Sequence, residues 1–322
     1  MVMHATIGAS RAVGHALPGC FQDGWFTRSG MVFLGSERAR CSLPALRRLL
    51  QRLEAKDDLL RDGAHLALRG DGAALAEHNT TGPEIAYYQR QIAHYGQPAL
   101  DAGCGTGRLL IPFLQAGLDV DGCDVSGDML AYCQQTAERA GVAPRLYRQA
   151  LHQLDLPRHY HTIVACGVFG IGVSRAQDVV ALHRFYHHLV PGGVLLLESY
   201  LPYGDATLWP LWHKDARTHL PEPWPADIGT PPADDHDYEL HYRLVAVDPL
   251  EQRTTGEMRM LSFQDQQVVA DDTRTLTSNY YFYHELRLLL ERAGFRVEAA
   301  KGDWTDADAT AEHEVIVYVA RK

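Results

Sequence analysis

The stretch PALDAGCGTGRLL, residues 98–110, sets glycines at 103, 105 and 107 between two apolar runs. Glycine enters left-handed backbone freely and lets another group approach the main chain, so such a cluster marks a strand turning sharply into a helix. The flanking sequence repeats that unit. Strands are predicted at 98–102, 118–123, 145–148 and 161–168, and again at VLLLESY, residues 194–200. Helices are predicted over about 107–116, 127–140 and 176–189, the last ended by VPGG. Short apolar strands separated by helices imply right-handed crossovers and a parallel sheet covered on both faces. The expected fold is a doubly wound α/β core.

The alternation breaks after residue 201. A Pro- and Trp-rich stretch leads into three segments joined at DPLEQ and QDQQ. In the first of them Tyr238, Leu240, Tyr242 and Leu244 alternate with Glu239, His241 and Arg243. Period-two alternation predicts a half-exposed antiparallel meander. YHELRLLLERAGF then returns to helix, and RVEAAKGDW and HEVIVYVAR to strands, so the β insertion spans about 205–279 of a domain running over 71–322. Upstream, GPEIAYYQRQIAHYG is a helix with Pro83 in its first turn. Residues 1–70 read as an N-terminal extension, partly disordered, with one helix near 42–62 that carries Leu46, Leu49, Leu50 and Leu53 on one face.

Composition excludes several classes. The formal net charge is −10 without a long basic block, which argues against a nucleic-acid partner. No apolar run approaches the roughly 18 residues of a membrane span. The six cysteines show no CxxC spacing, so no metal or iron–sulfur site is expected and free thiols in a reducing cytoplasm are.

The glycine loop itself is selective. A Walker loop needs Lys and Ser or Thr after its last glycine, and here Gly107 is followed by Arg108 and Leu109. A dinucleotide fingerprint wants a third glycine where Arg108 stands. Asp101, just before the glycines, would repel a pyrophosphate but suits a cationic group. Asp124 lies about 20 residues further on, where an acidic residue meets ribose hydroxyls in doubly wound nucleotide sites.

Together LDAGCGTGRL, VDGCDVSGDML, LDLP and LVPGGVLLLESY resemble the class I S-adenosylmethionine-dependent methyltransferases, in particular the small-molecule methyltransferase domain family. The resemblance covers about residues 80–322. It implies a seven-stranded Rossmann-like methyltransferase sheet carrying the antiparallel insertion, with S-adenosylmethionine as cofactor. It further implies that Asp101 orients the cofactor's amino group and that Gly103, Cys104, Gly105 and Gly107 let the backbone approach its methionine part and ribose. Asp124 would hold the ribose, Val125 and Met129 would pack on the adenine, and Tyr88 would cover the methionine end. Two positions depart from the family pattern. Ala150 replaces an acidic residue near the adenine, leaving backbone contacts at Leu151, and His161 stands where the fourth strand usually begins with Asp.

The expected activity is methyl transfer to N or O of a small-molecule metabolite. The alternatives are a non-catalytic S-adenosylmethionine binder and a nicotinamide-dependent oxidoreductase. After the fourth strand the sequence reads CGVFGIG and lacks the N/D-P-P-Y/F stretch that resembles an amide or base clamp. Tyr203, His213, Tyr280 and Tyr281 are the candidate groups near the acceptor. Trp209, Trp212 and Trp224 either wall the acceptor pocket or form the insertion's own small core. The insertion also offers an exposed edge through which a homodimer could form.

Overall fold

A computed structural model describes residues 82–205, 207–226, 228–229, 238–265 and 267–322. The N-terminal extension and its helix near 42–62 lie outside the described residues. No helix among those described is long and apolar enough to cross a membrane.

The chain runs α1 (Pro83–Tyr95), β1 (Ala99–Ala102), α2 (Leu110–Gln115), β2 (Val120–Asp124), α3 (Gly127–Arg139), β3 (Arg145–Arg148), β4 (Tyr160–Ala165), α4 (Arg175–His188) and β5 (Leu189–Tyr200). After an irregular segment come β6 (Tyr238–Asp248), β7 (Arg253–Gln264) and β8 (Gln267–Asn279), then α5 (Tyr283–Arg292), β9 (Arg296–Gly302) and β10 (Val315–Arg321). Seven strands form one sheet in the order β3-β2-β1-β4-β5-β10-β9, and β6-β7-β8 form a second, antiparallel sheet. Strands β1 to β5 pair in parallel, while β10 runs antiparallel to both β5 and β9.

Strand alternation divides the core into two layers. Ile163 and Ala165 of β4, Leu195 and Leu197 of β5, and Ile316 and Tyr318 of β10 pack with Leu182 and Phe185 of α4 and Leu286 and Leu290 of α5. Their neighbours Val164, Leu196 and Val317 pack on the other face with Tyr87 and Ile92 of α1, Phe113 of α2 and Cys133 of α3. Both faces are buried, so these strands read as continuous apolar runs. The helix starts are set locally. The Ser126 hydroxyl accepts from the Met129 amide at 3.1 Å, and Ser174 and Gln177 cap each other at the head of α4.

Three boundaries differ from the sequence expectation. Helix α2 starts at Leu110 rather than near Gly107, because Gly105 and Gly107 hold φ of +52° and +90°. Strand β4 ends at Ala165 rather than 168, since Gly167, Gly170 and Gly172 all turn at positive φ. VPGG does not terminate α4 from outside the sheet. It belongs to β5, whose pairing with β4 shifts register there.

The meander forms as expected, but β6 is not half-exposed along its length. Glu239 is 0% exposed and His241 4%, and they pair with each other at 3.1 Å. The segment before β6 folds over that face. The Gly229 amide donates to Glu239 at 3.1 Å, and Trp224 lies under the Arg243 and Arg259 guanidinium groups, 4.5 and 5.8 Å from its ring centroid.

Candidate active site

Gly103 and Cys104 leave β1 with both amides donating to the Cys123 carbonyl, at 2.8 and 2.9 Å. That pair of bonds bends the chain across the carboxyl ends of β1 and β2, the crevice where doubly wound sheets bind ligands. Gly103 holds φ of +80°, and a β-carbon there would come within 2.4 Å of Val168. A β-carbon on Gly105 would meet only Met129, at 3.5 Å. The loop is therefore packed from below at Gly103 and open above Gly105, with Met129 leaning over it. The Cys104 side chain points down against Gly122, leaving its backbone to the crevice.

Asp124 closes this loop from the neighbouring strand. One carboxylate oxygen accepts from the Gly105 amide at 2.9 Å and the other from the Ser126 amide at 2.8 Å. Each oxygen keeps a second lone pair for a ligand hydroxyl. Burial pushes the Asp124 carboxyl above its ordinary range, against the pull of those amides. Val125 sits beside it, half-buried, its carbonyl accepting from Arg148 at 3.3 Å. Leu151 begins a short 3₁₀ turn after Ala150 and packs against the core.

Asp101 is 3% exposed, and its Oδ2 has no hydrogen-bond partner. Burial pushes its carboxyl up to about 7, with Arg108 pulling it down and Asp124 pushing it further up. An orphaned carboxylate oxygen at the mouth of a glycine loop is costly unless a donor arrives.

The sequence reading missed the polar cluster beneath this crevice. Glu198, 2% exposed on β5, accepts through one oxygen from Tyr88 at 3.1 Å, Trp304 at 2.7 Å and Cys166 at 3.1 Å. Arg108 joins it by pairing with Glu84 and donating to Cys166 at 3.6 Å. Tyr88, expected to cover the methionine end, is wholly buried, and its hydroxyl is committed to Glu198. A lone Glu in the run VLLLESY was the available signal: a carboxylate in a strand buried on both faces needs internal donors.

The acceptor candidates separate. A cleft of about 720 Å³, counting its open mouth, lies beyond β4 and β5, walled by Gly167, Phe169, Leu201, Asp205, Tyr280 and Tyr281 among others. Tyr203 is 39% exposed and stacks beside Phe282 outside that wall. His213 is exposed on a turn away from it. None of the three tryptophans lines the cleft. Trp209 and Trp212 stack at 5.7 Å, and Trp212 meets the Tyr280 ring at 5.9 Å in the insertion's own core. Trp212 thus takes the core role, while Trp209, 37% exposed, stacks on it from outside.

The insertion is fastened to the sheet beside this cleft. Asp178 of α4, buried and pushed up by that burial, accepts from the Tyr281 hydroxyl at 2.6 Å, Asn279 at 2.8 Å and the Gly170 amide at 3.2 Å. Arg175 donates to the Tyr280 carbonyl at 2.7 Å and to Glu285 at 2.8 Å, and lies over the Tyr281 ring. Sequence gave little warning of either residue, because both sit on an ordinary helix start.

Residues 99–193 match the methyltransferase-domain family. The chain is 27% identical to a putative methyltransferase of Geobacillus sp. (strain WCH70) over 37% of its own length and 50% of the relative's. It is 28% identical to a dTDP-3-amino-3,6-dideoxy-alpha-D-glucopyranose N,N-dimethyltransferase of Streptomyces fradiae over 38% and 48%. The chain thus spans about half the length of these curated relatives. Its fold is shared with an S-adenosylmethionine-dependent methyltransferase of Clostridium acetobutylicum ATCC 824, with a TM-score of 0.57 at 14% identity over 74% of this chain and 90% of the other.

The residues present fit the cofactor of that family. The unpartnered Asp101 oxygen answers an ammonium, the open backbone at Gly105 leaves room for close approach, and the spare lone pairs of Asp124 answer vicinal hydroxyls. Sequence, sheet order and crevice agree: residues 99–193 match the methyltransferase domain, and the seven-stranded sheet around them has the fold of solved S-adenosylmethionine-dependent methyltransferases.

Proposed function

We propose that this protein transfers a methyl group from S-adenosylmethionine to N or O of a small-molecule metabolite held in the cleft beyond β4 and β5. One observation carries the reading. The segment 166–171 is shared by both sites: Val168 packs under Gly103 of the cofactor loop, while Gly167, Phe169 and Ile171 line the cleft. A ligand on the glycine loop and a second in the cleft would meet across this wall.

When bound, the cofactor supplies an electrophilic methyl on a sulfonium. The protein's part is to align the two reactants, a contribution on the order of 7–11 kcal/mol in well-oriented systems. Asp101 and Asp124 would fix the amino and ribose ends, so the methyl position is set from two sides. Loop 166–171 and Tyr281, held by Asp178, would fix the acceptor. The relative that dimethylates a dTDP-linked amino sugar supports a small-molecule acceptor of this kind.

Calorimetric titration with S-adenosylmethionine, S-adenosylhomocysteine and NAD tests the reading, with Asp124→Ala alongside. The first two bind, and the variant loses on the order of 1.5–3 kcal/mol through its charge-assisted bonds to the ribose. NAD binding alone, or unchanged affinity in the variant, defeats the assignment.

A further inference from the structure

The cleft has a charge signature. Among the described residues its wall carries two acids, Asp205 and Glu314, and no Lys, Arg or His. The remainder is apolar, aromatic or small and polar, including Phe169, Leu208 and Tyr280. Behind Gly167 and Tyr200 the cleft backs onto Glu198, whose second oxygen, Oε1, is buried without a partner. Glu84, Asp101 and Glu198 there face the single cation Arg108. The charges on the wall itself are both negative, and Arg175, which touches Tyr280 and Tyr281 from behind, is paired with Glu285.

We propose that the acceptor is an amine nitrogen on a largely apolar or aromatic molecule that carries no phosphate, with Asp205 and Glu314 selecting its positive charge at the mouth. The inference rests on the methyl-transfer reading and narrows its substrate.

Three arguments support it. A nucleoside diphosphate brings at least two negative charges, and its recognition uses Arg forks, Lys or free helix-start amides. The described wall has no such side chain; the start of α4 is answered by the Ser174 cap and by Asp178, and that of α5, which follows Tyr281 directly, carries the acidic Glu285 in its first turn. Second, transfer to an amine conserves charge within the site. The ammonium selected at the mouth first gives its proton to solvent there; the freed nitrogen lone pair forms the new N–C bond as the C–S bond breaks, sulfur keeps the bonding pair as a neutral thioether, and the positive charge passes to nitrogen. The two acids can hold that charge in the product as in the incoming amine, and the product ammonium can in turn lose its proton to solvent at the open mouth. Third, a hydroxyl acceptor must surrender its proton to a base. Asp205 Oδ1 already accepts from Thr207 and Leu208 and the Tyr281 hydroxyl donates to Asp178, which leaves Asp205 Oδ2 and Glu314 at the mouth; an ammonium sheds its proton to solvent far more readily than a hydroxyl does.

The test is calorimetric binding to the full chain saturated with S-adenosylhomocysteine. The probes are phenethylamine, 2-phenylethanol and phenylacetate, which share one ring and differ in charge, together with thymidine 5′-diphosphate. The amine should bind tightest and phenylacetate weakest, with no heat from thymidine 5′-diphosphate. Asp205→Asn keeps an oxygen acceptor for Thr207 and Leu208 but removes the charge. It should cut the preference for amine over alcohol roughly fivefold, the effect of one partly screened charge. Equal binding of the three ring compounds, tighter binding of phenylacetate, binding of thymidine 5′-diphosphate or absence of amine binding each overturns the proposal. Failure of S-adenosylhomocysteine itself to bind would instead defeat the methyl-transfer reading.

Discussion

The glycine crevice and the β insertion handle buried charge in opposite ways. In the crevice, Asp101 is left with an oxygen that no protein donor reaches, while the loop beside it is held by backbone bonds and by the Asp124 carboxylate. In the insertion most charged groups pair along the chain, Glu239 with His241, Arg243 with Glu257 and Arg259 with Asp271, and one buried Nε on each of Arg253 and Arg274 is left over. A polar group satisfied at home stabilises or costs little, whereas one left open is an expense that only a ligand offsets. The contrast separates the region built to bind from the region built to shape and cover.

The sharpest way to break that comparison is at Gly103. Alanine there meets Val168 and must adopt φ of +80°, so Gly103→Ala should cost roughly 2–5 kcal/mol of stability from left-handed strain and overpacking together. Cofactor binding should fall with it. Gly117→Ala has the same backbone problem at φ of +77° but nothing within 4 Å, so it should lose only about 1–2 kcal/mol. Denaturant midpoints of the two variants compare them, and equal losses would show that the loop is not held by Val168.

A smaller effect follows from Asp101. Its carboxyl is pushed up to about 7, so below that pH the group is neutral and a cationic ligand must first expel its proton. Affinity for S-adenosylmethionine should therefore fall as pH drops through about 7, approaching tenfold per pH unit, with a proton released on binding that buffers of different ionisation enthalpy reveal. The sign for stability is opposite to that of an ion-paired carboxylate. The folded state holds the proton more tightly than the unfolded chain, so this group's contribution is lost as pH rises through about 7. Asp101→Asn should flatten the binding profile. A profile unchanged by that substitution would remove Asp101 from the cofactor's amino group.

The smallest effect belongs to the insertion. Arg259 and Asp271 pair at 2.7 Å with Asp271 largely in solvent, and Asp271→Ala should cost about 1 kcal/mol or less, vanishing at high salt. A larger loss would mean that the outer face of the insertion is not a free surface, and would favour the homodimer through its edge. Sedimentation of wild type and variant reads this directly.

Much of the core was legible because each of its signals is local. Glycines at 103, 105 and 107 demand left-handed backbone, which fixes the turn whatever surrounds it. Apolar runs of strand length demand burial on both faces, which fixes the layering. The alternation of Leu240 and Leu244 with polar residues likewise foretold a strand, but it misjudged exposure at Glu239 and His241. Period two says which residues share a face and not whether another segment will cover the polar one, as the preceding segment holding Trp224 and Gly229 does.

The sequence by itself determined the strand–turn–helix units, their parallel order and the carboxylates at the ends of β1 and β2, because spacing along the chain carries all three. Only the tertiary structure decided that Tyr88 answers Glu198, that Asp178 ties Tyr281 and Asn279 beside the cleft, and that no basic residue is among those lining the described wall. Those pairings join residues about a hundred positions apart. Their geometry depends on how the sheet stacks its strands, which no local pattern encodes.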